Sequence, residues 1–145
     1  MNPSKKRVSV PATPAAGMWS VALEWIEGPC RLCFSADGEW SFADEADAKC
    51  GPDGSPVSHI PASRCLNPDA PVGALIGKIG GSTADSSVEG TLRFVVGRYC
   101  AFRLAAEHSG PLFLTINDTR TGYADNGGQV EVTIVRSADD STPGS

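Results

Sequence analysis

Apolar and polar side chains alternate most plainly near the C-terminus, where Val130, Val132 and Ile134 interleave with Gln129, Glu131 and Thr133. A period of two puts each set on its own face of an extended chain, which is the pattern of a strand with one face buried. Leu112, Leu114 and Ile116 repeat it with Phe113 and Thr115 between them, after a Gly110-Pro111 turn. Further short apolar or β-branched runs occupy 18–26, 31–35, 39–42, 73–79, 91–96 and 100–104, with turn residues separating them. Such a succession predicts an all-β domain, a sandwich or a barrel. Residues 43–49 have helical propensity and 101–107 allow a turn, but neither carries a sustained 3.6-residue stripe.

Residues 43–72 interrupt the strand pattern with little periodicity and contain Gly51-Pro52-Asp53-Gly54, Ser55-Pro56 and Asn67-Pro68-Asp69. A stretch this long without regular structure in a compact domain is usually functional or disordered, so it is the first candidate for a specificity loop. The length of 145 residues accommodates one domain with a real core. Its expected organisation is a flexible arm at 1–17, which holds Lys5, Lys6, Arg7 and the Pro11-Ala12-Thr13-Pro14 stretch, a domain at 18–136, and a frayed polar tail at 137–145. Trp19, Trp25, Trp40 and Phe42 are assigned to the core, since aromatics in predicted strands usually pack there.

Charge narrows the partners. A net charge of -5 with a pI near 4.9 argues against nucleic acid or an anionic membrane, both of which call for a concentrated basic surface. There is no 18-residue apolar run and no secretory h-region near the N-terminus, so the expectation is a soluble protein without membrane insertion, cytoplasmic or released without a Sec signal. The five cysteines are an odd number, which favours reduced thiols over a disulfide framework. Cys30 and Cys33 lack the second close pair of a zinc ribbon, and at the start of a strand they point to opposite faces, one into the core and one outward.

Catalytic patterns are missing. His59 and His108 are the imidazoles, there is neither a Gly-x-Ser-x-Gly elbow nor a His-Glu-x-x-His helix, and Glu45 with Asp47 reads as a solvated loop face. The expectation is a non-enzyme.

The chemistry concentrates in Asn117-Asp118-Thr119-Arg120-Thr121-Gly122-Tyr123-Ala124-Asp125-Asn126-Gly127-Gly128, mounted between the two clearest strands. Two carboxylates, two carboxamides and several glycines are the inventory of a calcium site, which takes hard oxygens from side chains and backbone carbonyls. If Asp118 faces Asp125 and Asn126, a carbonyl near Gly122 completes a half-shell that leaves positions open for an outside ligand. The EF-hand spacing is absent. A long hairpin whose Asp, Asn and Gly residues serve only its turns is the alternative.

The stretch Pro68-Asp69-Ala70-Pro71-Val72-Gly73-Ala74-Leu75-Ile76-Gly77-Lys78-Ile79-Gly80, the later Phe94-Val95-Val96-Gly97, and Gly110-Pro111-Leu112-Phe113-Leu114-Thr115-Ile116-Asn117-Asp118 leading to Asp125-Asn126-Gly127-Gly128 resemble the PA-IL-like galactose-binding bacterial lectins. The likeness covers about 19–135. It implies a small jelly-roll-like β-sandwich of about eight strands that holds one Ca2+, with two vicinal sugar hydroxyls completing the coordination. By position it implies side-chain ligands Asp118, Asp125 and Asn126 and backbone-carbonyl ligands Gly122 and Phe42, the last with Ala43 as an equal choice. Sugar contacts would come from His59, Thr119, Asp118 and Asp125.

Asp125 stands where the galactose binder has Asn, which keeps a hard oxygen and adds charge. Where that binder presents His-Pro-Asp-Gln to the sugar, this chain reads His59-Ile60-Pro61-Ala62-Ser63, without the carboxylate and the amide. The implied function is a calcium-dependent carbohydrate-binding module whose partner is a glycan or glycoconjugate, with a galactoside as first candidate. Weak sugar sites gain strength through linked copies, so a homo-oligomer is compatible with this reading. A non-catalytic structural or protein-interaction sandwich stapled by calcium is the alternative.

Overall fold

The computed structural model describes residues 4–13, 18–43, 48–55, 61–81, 91–119 and 126–138. Nine strands run in the order β1 (Ser4–Pro11), β2 (Ser20–Ile26), β3 (Cys30–Ser41), β4 (Lys49–Cys50), β5 (Leu75–Ile79), β6 (Leu92–Val95), β7 (Tyr99–Leu104), β8 (Gly110–Ile116) and β9 (Gly127–Ser137). Single 3-10 turns lie at Ala62–Arg64 and Ala106–His108.

The strands form two antiparallel sheets. In the first, β1, β9 and β3 are successive neighbours, and the far side of β3 pairs with β4 at one end and β7 at the other. The second has the order β2-β8-β5-β6. Consecutive strands thus often lie in different sheets, and the chain crosses between them at both ends of β8.

Alternation explains the main core. Val130, Val132 and Ile134 of β9 and Leu32, Phe34 and Ala36 of β3 face Leu75, Ile79, Leu112, Leu114 and Ile116 of the second sheet, all buried in one cluster. A second cluster lies on the back of the second sheet, where Trp19, Leu66 and Ala70 cover Ala74, Ile76 and Phe113. Burial on both faces accounts for β5, which is buried at every position and therefore reads as a continuous apolar run. Lys78 is the exception in composition; its ammonium sits 4.7 Å from the Trp19 ring centroid and 5.1 Å from that of Phe113, so the rings take the place of bulk water.

The structure differs from the pattern reading at four places. The N-terminal arm contains β1, which pairs with β9 from Ser4↔Arg136 to Pro11↔Gln129. It escapes a pattern reading because it is an edge strand, mostly exposed and burying only Val10 fully. The runs at 31–35 and 39–42 are one strand, whose ladder with β9 continues without a shift from Arg31↔Ser137 to Ser41↔Gly127. Trp25 is exposed, in contrast to Trp19 and Trp40, which are buried as expected. β9 also extends through Ser137, the first residue of the expected tail.

The five cysteines are thiols rather than disulfides, and at the start of β3 Cys30 is buried while Cys33 is half-exposed, as residues three apart on a strand should be. No helix among the described residues is long and apolar enough to cross a membrane.

Candidate ligand site at the β8–β9 loop

The loop starts on the second sheet at the end of β8 and finishes on the first sheet at β9, so its two ends are held by different layers of the sandwich. Asn117 anchors the first end. It is fully buried, and its side chain is a hub for the backbone of 67–71: Oδ1 accepts from Asn67 N–H at 2.9 Å, and Nδ2 donates to the carbonyls of Asn67, Ala70 and Pro71 at 2.9, 3.0 and 3.1 Å. A buried carboxamide satisfied at both ends fixes the turn that it touches.

The Asn117 main chain is tied as firmly. Its N–H donates to Ala74 O and its carbonyl accepts from Gly73 N–H, both at 2.7 Å. Gly73 O in turn accepts the buried indole N–H of Trp40 at 2.7 Å. A chain of bonds therefore runs from the β3 core residue Trp40 through Gly73 to the start of the loop. Gly73 has φ +86°, and a Cβ there would lie 2.5 Å from Cys50 Sγ and 3.1 Å from Phe42 Cδ1, so no larger residue fits the link.

Asp118 follows, with 1% of its surface exposed. One carboxylate oxygen accepts the Thr119 N–H at 2.7 Å, and the Asp118 carbonyl accepts the Leu66 N–H at 3.0 Å. Thr119 also forms an isolated bridge with Cys65, which lays the later part of the long irregular segment alongside Asp118. Burial, and secondarily the Asp118 carboxylate, push the Cys65 thiol up to about 11.

At the other end of the loop, Asn126 Nδ2 donates to Ala12 O at 3.1 Å, and Ala12 N–H donates to Gly128 O at 3.0 Å. Asn126 Oδ1 is shielded from solvent and accepts no hydrogen bond among the described residues. Buried amide oxygens are ordinarily satisfied, so this one is an exception. The register Trp40↔Gly128, Ser41↔Gly127 brings Phe42, one residue beyond the strand, level with Asn126. Phe42 itself is buried, and its N–H donates to Ala48 O at 3.2 Å.

Of the expected site residues, Asp118, Thr119, Asn126 and Phe42 lie at this end of the sandwich, while Gly122, Asp125 and His59 lie outside the described residues. Among the described residues no three His, Cys, Asp or Glu side chains form a metal-holding group. The Trp40 and Phe42 rings belong to the core rather than to an exposed stacking surface. A pattern reading overlooks the supporting parts Gly73, Cys65 and Ala12, and it counts Asn117 among the calcium-type donors whereas its carboxamide is taken up by the 67–71 backbone. The signal available for Asn117 was its position directly after three alternating buried residues of β8, where a polar side chain inherits a buried environment.

The described residues thus form an antiparallel sandwich with Asp118 just beyond β8 and Asn126 just before β9. Among solved structures, the chain is similar to one described as the EclA N-terminal domain, a PllA-like lectin, with 19% sequence identity, a TM-score of 0.64, and coverage of 90% of this chain and 94% of that one. The chain has the PA-IL-like lectin fold. No protein-family model and no curated protein matches it.

Proposed function

We propose that the chain is a calcium-dependent carbohydrate-binding module, with a galactoside as the first candidate ligand and no catalytic activity. The observation that carries the reading is the buried Asn126 Oδ1, which accepts no hydrogen bond among the described residues, at one end of a loop whose other end holds the buried Asp118 carboxylate. Hard anionic and carbonyl oxygens withdrawn from water suit a cation of the calcium type. The lectin-like fold adds to it.

In this proposal Asp118, Asp125 and Asn126 hold Ca2+ through side-chain oxygens, and Gly122 and Phe42 through backbone carbonyls. When bound, the ion supplies open coordination positions for vicinal sugar hydroxyls. The chain's own part is to keep the oxygens in place: the Asn117 hub and the Trp40–Gly73 link hold the β8 end, and the bond from Asn126 to Ala12 holds the β9 end. Thr119, Asp118, Asp125 and His59 are positioned in sequence to meet the sugar. Such a site works by equilibrium binding, exchanging water on the hydroxyls for protein oxygens.

The second reading is a calcium-stapled scaffold for structural or protein-interaction purposes. It is favoured by one feature, the absence of the sugar-facing carboxylate and amide in His59-Ile60-Pro61-Ala62-Ser63. A glycan array read with and without chelator separates the two: chelator-sensitive binding to terminal galactosides supports the lectin, and no glycan signal together with calcium-dependent melting supports the scaffold.

A further inference from the structure

β2 exposes two large apolar side chains, Val21 and Trp25, at 53% and 58%. Trp25 contributes nothing to either core cluster, although an aromatic of its size usually buries a large area. It lines a cavity of about 230 Å³ at the open edge of the sandwich, where β1 of the first sheet meets β2 of the second. Leu23 and Trp25 form one wall, Lys5, Lys6 and Arg136 another, and the buried Ile26 and Ile134 lie beneath.

The register explains why the cations gather. Residues opposite one another in an antiparallel ladder share a face. Lys6 lies opposite Ile134 and Ser4 opposite Arg136, so Lys6 and Arg136 are both on the face that carries the core residue Ile134. They therefore lean toward β2. Among the described residues no carboxylate pairs with Lys5, Lys6 or Arg136, whereas the adjacent Arg7 is 3.8 Å from Glu131. Two such cations, Lys6 and Arg136, facing one cavity run against a chain whose net charge is -5, while Lys5, opposite Val135, is on the other face of the sheet. The indole N–H of Trp25 donates to Glu27 Oε2 at 2.7 Å, which fixes the ring and engages its polar edge.

Lysines on an edge strand also discourage sheet-to-sheet pairing, and that role accounts for Lys5 and Lys6 taken alone. It does not account for Arg136, which is on β9, an interior strand, nor for an exposed Trp beside them. An apolar ring face next to a guanidinium and an ammonium group matches a sugar ring that carries an anion. The C–H face of the ring packs on the indole, and the anion takes the charge-assisted hydrogen bonds of Arg and Lys. The cavity is small for a drug-sized ligand and suits a single sugar residue.

We propose that the β1–β2 edge is a second ligand site, specific for an anionic saccharide residue, carboxylated or sulfated, and independent of calcium. It does not rest on the β8–β9 loop. The test is an NMR titration of the full chain in excess chelator and at low salt with methyl galacturonoside, a galactose 6-sulfate glycoside and neutral methyl galactoside. The Trp25 indole N–H signal is the probe, assigned from its loss in Trp25→Ala.

The expected result is saturable movement of that signal by at least one of the anionic sugars and none by the neutral one, weakening as salt rises. Which anionic sugar binds identifies the anion. Affinity, followed on other shifting signals, falls about tenfold or more in Trp25→Ala and in the Lys6→Ala/Arg136→Ala variant, a free-energy loss of about 1.4 kcal/mol. The melting temperature of Trp25→Ala stays near the parent's, because the ring is outside the core. No saturation by either anionic sugar, equal binding of the neutral one, or undiminished affinity in both variants overturns the proposal.

Discussion

Replacing Asn117 by alanine removes the hub on which both the loop start and the 67–71 turn depend. The side chain accepts one backbone hydrogen bond and shares its two amide protons among three backbone carbonyls, all at 2.9 to 3.1 Å. That is equivalent to about three full hydrogen bonds, each contributing about 1 kcal/mol net. The Asn67 N–H is also left in a buried setting, where an unsatisfied donor costs about 1–3 kcal/mol. The expected loss is therefore about 4–6 kcal/mol, a large part of the roughly 5–15 kcal/mol that holds an ordinary domain together. Urea unfolding followed by tryptophan fluorescence reads it as a lower midpoint with an unchanged slope. Asn117→Asp, which keeps the shape but turns a carboxylate toward the three carbonyls, destabilises at least as much near neutral pH. A loss below about 1 kcal/mol for Asn117→Ala would refute the hub, since one exposed hydrogen bond contributes as much.

Other predictions follow from the same neighbourhood. Gly73→Ala meets Cys50 Sγ and Phe42 at a backbone φ of +86° and should cost about 2–4 kcal/mol, seen as a drop in melting temperature. Trp40→Phe breaks the 2.7 Å bond to Gly73 O without emptying the core and should cost about 1–3 kcal/mol; a change in stability within error would separate the indole from the loop. Burial raises the Cys50 and Cys65 thiols to about 11 from the ordinary 9.0, so in the unfolded chain they ionise first. Their contribution to stability is complete below pH 9.0 and is lost as pH climbs from 9.0 toward 11; denaturation curves between those limits should show the fall, and its absence in Cys50→Ala/Cys65→Ala would assign it.

Strands with a strong period of two, β8 and β9, were legible in the sequence, although β8 also buries Phe113 and Thr115 on its second face. Strands that depend on tertiary context were not. β1 has Lys5, Lys6 and Arg7 in succession and a single fully buried residue, so its existence follows from pairing with β9 rather than from any pattern of its own. β3 reads as two runs because Ala36-Asp37-Gly38 resembles a turn, yet Gly38, at φ +112°, keeps its place in the ladder opposite Val130. Trp25 illustrates the reverse error, since nothing in a sequence separates a core tryptophan from one left at an edge.

The loop itself stood out by composition, because Asp118 and Asn126 are polar residues crowded between buried strands. Its supports did not stand out. Asn117 touches residues some fifty positions away in sequence, and Ala12 meets Asn126 across 114 positions, relations set only by how the sheets stack. The long irregular segment proved to have two duties, since Leu66 and Ala70 cover the back of the second sheet while Cys65 flanks Asp118.

The most direct test of the central claim is isothermal calorimetry of Ca2+ into the chelator-stripped protein, beside an Asp118→Ala/Asp125→Ala variant, followed by a galactoside titration of the calcium-loaded parent. The account predicts one calcium per chain for the parent, none for the variant, and a galactoside heat only after loading. A parent that takes up no calcium would contradict it.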